Sequence, residues 1–193
     1  MRRIFLVLAL LVAGVPLVGF ALFRFGPLAE VGPMASGLAA KLACSHRYLT
    51  GIGAEQVVAD LESYSPVYAW VDIDYGDGEK WALASIAGAS HRAVYRQGLG
   101  CTLAIGDTAA LDRVVVPAVT GSGRPWPAGS QVDGIDLAVQ GKLDQLLQRD
   151  NSEGYQTRAL LLLRSGRVAA EAYAGGFHQN TPHLGWSMGK SLT

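Results

Sequence analysis

A stretch that no regular element can cross sets the plan of this chain. Thr120-Gly121-Ser122-Gly123-Arg124-Pro125-Trp126-Pro127-Ala128-Gly129-Ser130 mixes glycines, which lose most backbone freedom on ordering, with prolines, which have no N–H to give to a helix or ladder. The chain therefore reads as two pieces, with a linker over residues 116–131. Its 193 residues, half of them hydrophobic, can bury one good core and a smaller satellite. Sixteen basic residues balance sixteen acidic ones. No basic surface exists to neutralise phosphates, which argues against nucleic acid as a partner. No internal repeat or low-complexity tract appears.

The N-terminus opens Met1-Arg2-Arg3, continues without charge over residues 4–23, and is closed by Arg24. At ~1.5 Å per residue such a stretch reaches ~30 Å, the hydrocarbon thickness of a bilayer. The expectation is a signal anchor or transmembrane helix over residues 1–24, with membrane contact through residues 4–23. Arg2 and Arg3 would hold the N-terminus in the cytoplasm. The protein would then pass once through the cytoplasmic membrane, with its C-terminal part extracytoplasmic, in the periplasm. A cleaved signal peptide is one alternative, but Ala21-Leu22-Phe23 ends in the wrong residue for a small-x-small cleavage site. A buried soluble helix is the other. Gly14 and Pro16 weaken the helix but are tolerated in membrane spans.

Residues 25–115 read as a small accessory unit of strands with one helix. Its Cys44 and Cys101 are the chain's two cysteines, and an even count in an exported chain points to a disulfide. Two buried free thiols are the alternative. Lys41 stands where a lipoprotein site needs an aliphatic residue, and two cysteines without spaced histidines make no zinc site. Val57, Val58 and Leu61 give residues 53–61 helical spacing, residues 67–73 read as a strand, and Gly76-Asp77-Gly78 is turn chemistry. Residues 81–86 make the return strand and residues 91–95 a third. Asp72, Asp74, Asp77 and Glu79 fail the register of a calcium loop, because Gly76 falls where a ligand is needed. They read as a solvated hairpin face. Gly51-Ile52-Gly53 lacks the third glycine of a dinucleotide loop and reads as a turn. No cofactor or metal is implied.

Beyond the linker, Ile135, Val139, Leu143, Leu146 and Leu147 recur at intervals of three and four, predicting an amphipathic helix over residues 133–149. Residues 150–154 end it. Residues 157–163 and 167–173 form a hairpin about Arg164-Ser165-Gly166. A loop over residues 175–184 follows, and a helix starts at Ser187. The chain ends two turns into that helix, so a truncated domain is expected over residues 132–193.

Ser187-Met188-Gly189-Lys190 carries the chemistry. Acyl transfer needs a hydroxyl made more nucleophilic than water and a group that takes or relays its proton. At i and i+3 on a helix the two side chains share one face. The helix N-terminus adds partial positive charge and a backbone N–H at Ser187 for an oxyanion. The bland alternative is a capping serine and a solvated lysine. His178 and His183 precede the serine with no aspartate geometry to complete a triad, and read as loop residues.

Thr157-Arg158-Ala159-Leu160-Leu161-Leu162-Leu163-Arg164-Ser165-Gly166-Arg167, then Glu171-Ala172-Tyr173, then Gly185-Trp186-Ser187-Met188-Gly189-Lys190-Ser191 resembles the opening of the beta-lactamase-related serine hydrolases: the class C beta-lactamase, DD-peptidase and 6-aminohexanoate-dimer hydrolase group. Ala43-Cys44-Ser45, Tyr95-Arg96 and Gly98-Leu99-Gly100-Cys101-Thr102-Leu103 are similar to the upstream region of its membrane-anchored members. The resemblance implies an α+β chain: an N-terminal membrane helix, a small α/β accessory unit, then the incomplete start of a helix-sheet-helix domain. It implies that Ser187 attacks an amide or ester carbonyl of a small-molecule or peptide-like substrate and that Lys190 handles the proton. The family also uses a downstream Tyr-x-Asn element and a Lys/His-x-Gly strand, neither of which occurs after Lys190 here. Tyr68, Tyr75 and Tyr95 precede the serine and are poor substitutes. The chain alone is therefore expected not to turn over substrate, and the rival expectation is a non-catalytic envelope protein with a binding or scaffold role.

Overall fold

The structure is a computed structural model that describes residues 14–16, 18–19, 26–117 and 123–191. It divides into two compact units, Met1–Pro117 and Ala118–Thr193, and its architecture is α+β. The anchor expected over residues 1–24 is corrected. A span needs about 20 apolar residues in one helix, whereas the longest described helix, Leu137–Ser152, has 16 and a largely polar surface. Among the described residues no helix is long and apolar enough to cross a membrane. Membrane contact through residues 4–23 and single-pass placement in the cytoplasmic membrane fall with it. In that stretch only 14–16 and 18–19 are described, as helix, and the rest lies outside the described residues.

Small side chains build the first unit. Helix α1 (Val31–Ser45) buries Gly32, Ser36, Ala39, Ala40 and Ala43, one stripe at intervals of three and four. It packs on a four-stranded antiparallel meander of β1 (Asp72–Gly76), β2 (Trp81–Ile86), β3 (Ala89–Arg96) and β4 (Gly100–Leu103), in that spatial order. Strand β2 alternates, sending Ala82, Ala84 and Ile86 into the core, and the register sets Ala93 beside Ala82. Alanine facing alanine lets the helix lie close. A Cβ placed on Gly32 would stand 3.3 Å from that of Ala89, tighter than ordinary packing. Helix α1 was absent from the sequence expectation because such a stripe has little hydropathy contrast and its N-cap, Glu30, makes no capping bond. Residues 26–117 thus hold two α-helices where one was expected.

Helix α2 (Ala54–Tyr64) buries Val57 and Leu61. The strand expected over residues 67–73 is mostly a 3₁₀ turn, Pro66–Trp70. Proline fixes the first helical φ, and the Ser65 hydroxyl accepts the Val67 N–H at 3.4 Å, a start signal that outweighs the β-prone residues after it. Between β2 and β3 a two-residue turn places Ala87 at φ 50° and Gly88 at φ 77°, the left-handed pair a tight hairpin requires. Cys44 and Cys101 form a disulfide with Cα atoms 6.0 Å apart, joining the end of α1 to β4. Lys41 donates from Nζ to the Cys101 carbonyl beside it.

In the second unit, Asp136 caps helix α3 (Leu137–Ser152) by accepting the Ala138 and Val139 N–H groups. The helix begins later than residue 133 because Gly134 is left-handed, at φ 76°, and Asp136 is extended. Strands β5 (Ala159–Arg164) and β6 (Arg167–Tyr173) make an antiparallel hairpin. Strand β6 buries Val168, Ala169, Ala170 and Ala172 and packs on α3. Strand β5 leaves Leu161, Leu162 and Leu163 largely exposed.

Candidate active site

Ser187 and Lys190 lie on one 3₁₀ helix, Trp186–Ser191. This differs from the helix expected to begin at Ser187 in kind and by one residue in its start. In a 3₁₀ helix three residues complete a turn, so side chains at i and i+3 eclipse. Ser187 and Lys190 therefore project along a single edge, and both are exposed to solvent. Six residues aligned this way do not supply the macrodipole expected of a longer helix. What the local backbone offers an oxyanion is individual N–H groups. One of them, from Met188, is spent on the Gly185 carbonyl at 2.8 Å, closing a turn over Trp186 and Ser187.

The loop leading to this turn is organised by its own side chains. The Phe177 and His183 rings stack at 5.8 Å, and the Arg158 guanidinium lies 5.4 Å from the Phe177 centroid. His178 donates its backbone N–H to Thr181 Oγ1 at 2.9 Å, while its Nδ1 accepts the Asn180 N–H at 3.2 Å. That bond fixes Nδ1 as an acceptor. Both histidines thus take part in shaping the loop.

Tyr173, at the end of β6, donates its hydroxyl to Glu171 Oε2 at 2.8 Å. Its phenol is pushed up to about 12, first by burial and then by the Glu171 carboxylate, so it stays protonated and is no general base at neutral pH. Burial also pushes Tyr68 and Tyr75 up. A cavity of about 310 Å³ beside β6 is lined by residues including Trp126, Leu161, Glu171 and Tyr173. Neither Ser187 nor Lys190 lines it.

Compared with known proteins, the chain matches no family model, no curated protein and no solved structure.

Two features were not anticipated from sequence. Gln140 on α3 donates from Nε2 to the Glu171 carbonyl at 2.8 Å and accepts the Glu171 N–H on Oε1 at 3.1 Å, clamping the edge of β6. Trp186, directly before the serine, is left-handed at φ 43°. Neither leaves a sequence signal: the first depends on register across 31 residues, and the second puts an aromatic where the local rule asks for glycine.

Proposed function

We propose that Ser187 is the nucleophile and Lys190 the proton-handling partner of a serine hydrolase acting on amide or ester bonds. The observation that carries this is that both residues lie, three positions apart and exposed to solvent, on one 3₁₀ helix. In the reaction, Ser187 Oγ bonds to the carbonyl carbon while the carbonyl electron pair moves to oxygen. The hydroxyl proton goes to the lone pair of an unprotonated Lys190 amine and from there to the departing amine or alcohol as the C–N or C–O bond breaks. Water then attacks the acyl ester, returns a proton by the same route, and restores Ser187. By the resemblance, a tyrosine of a Tyr-x-Asn element shares the proton and a Lys/His-x-Gly strand lines the cleft, so turnover asks for more than the pair. Labelling asks only for an activated hydroxyl.

The test is reaction of the chain with a fluorophosphonate, followed by peptide mass spectrometry. Ser187 should carry the label, Ser187→Ala should carry none, and Lys190→Ala should label at least tenfold more slowly. Label spread over several serines, or a rate indifferent to Lys190, would remove the hydrolase reading.

A further inference from the structure

Five non-glycine residues among those described have left-handed backbones: Lys80, Ala87, Gln156, Ser165 and Trp186. Lys80, Ala87 and Ser165 sit in hairpin turns, where the geometry demands positive φ. Gln156 lies in the connection from α3 to β5. Trp186 has no hairpin to explain it. It is the bulkiest of the five, and a bulky residue at positive φ is a true steric outlier. Its side chain is 54% exposed, so deep burial of the indole does not hold the backbone there. The Met188 N–H to Gly185 carbonyl bond does span it. Returning Trp186 to negative φ would swing the following peptide, open that bond and carry Ser187 Oγ off the edge it shares with Lys190. Strain of this kind persists where neighbouring structure over-determines it, and it gathers at functional sites.

We propose that Trp186 is a positioning residue for Ser187, acting through its left-handed backbone, an inference that rests on the nucleophile reading of Ser187. A residue free to take positive φ should therefore replace it, and a β-branched residue should not.

The experiment measures the rate and pH profile of fluorophosphonate labelling at Ser187 in the full chain and its Trp186 variants. In labelling, Ser187 Oγ forms a bond to phosphorus, the P–F bond breaks, fluoride leaves, and the proton passes through Lys190 to solvent. Trp186→Gly and Trp186→Asn should label within about twofold of the parent with the same pH profile, because both tolerate left-handed backbone. Trp186→Val, with an unchanged circular dichroism spectrum, should label at least tenfold more slowly and lose the dependence of the profile on Lys190. Slow labelling in both Gly and Asn variants would assign the role to the indole and overturn the proposal. Parental labelling in the Val variant would overturn it equally. A parent chain that takes no label at Ser187 would instead remove the nucleophile reading, and this proposal with it. Should Trp186→Val not fold, the Gly and Asn variants decide alone.

Discussion

The carboxylate of Asp136 accepts the Ala138 and Val139 backbone N–H groups at 3.1 and 3.2 Å and the Arg164 guanidinium at 3.2 Å. These bonds favour the ionised form, led by the Val139 N–H, and hold the group below its ordinary value of 3.8. A carboxyl lowered in the folded state stabilises the fold above its unfolded pKa, and that contribution is lost as pH falls through the lower, folded value. Helix α3 should therefore loosen in acid below the ordinary carboxylate range. Asparagine is also a good cap but does not titrate. The prediction is that, between about pH 4 and about pH 2, melting followed by far-UV circular dichroism falls more steeply in the parent than in Asp136→Asn. Parallel acid limbs would show that the cap's charge adds nothing. The neighbouring Arg164 is exposed enough that its bridge is a minor partner in water.

At the scale of elements, Gln140 answers a problem of a two-stranded sheet, whose edges present unpaired N–H and C=O groups. Its amide takes both backbone groups of Glu171, as a neighbouring strand would, and the reciprocal pattern fixes the amide's orientation. Gln140→Ala removes two partly buried hydrogen bonds and should cost about 1–2 kcal/mol. Hydrogen exchange at the Glu171 amide should quicken accordingly, and protection unchanged from the parent would show that α3 holds β6 by packing alone. Helix α3 and the β5–β6 hairpin were readable because Val139, Leu143 and Leu147, then the Leu160–Leu163 run, follow the helical and extended periods. Helix α1 was not, since its alanine stripe against Ala82, Ala84 and Ala93 is a packing match between distant segments. The 3₁₀ turn at Pro66 had a readable signal in Ser65-Pro66, overshadowed by Val67, Tyr68 and Trp70. Ser187 and Lys190 could be nominated from spacing. The 3₁₀ form that eclipses them, and the left-handed Trp186, arise from local backbone geometry with no trace in residue type.

For the molecule as a whole, the first unit has a core of small side chains, and small side chains remove little apolar surface from water. Among its described residues the largest fully buried side chains are Leu61 and Val57, both on α2. The seam between α1 and the sheet is mostly alanine, glycine and Ser36, whose Oγ lies 2.7 Å from His91 Nδ1. Such a seam needs another source of stability, and the Cys44–Cys101 bond supplies one by closing 57 residues of chain. On the chain-entropy account a loop of that length is worth about 4 kcal/mol, taken from the freedom of the unfolded state. The double variant Cys44→Ser, Cys101→Ser should lose about that much in urea unfolding. Cys44 and Cys101 are both buried, at 0% and 1% exposure, so mild reductant should act only after the unit opens, and its rate should scale with the open population as well as with thiol concentration. The loss should appear first as faster hydrogen exchange along α1 and β4, which the bond joins, while α2 keeps its protection through Val57, Leu61 and Tyr68. A variant that loses less than about 1 kcal/mol would mean that the alanine seam already draws α1 and β4 together in the unfolded chain, leaving the bond little entropy to remove.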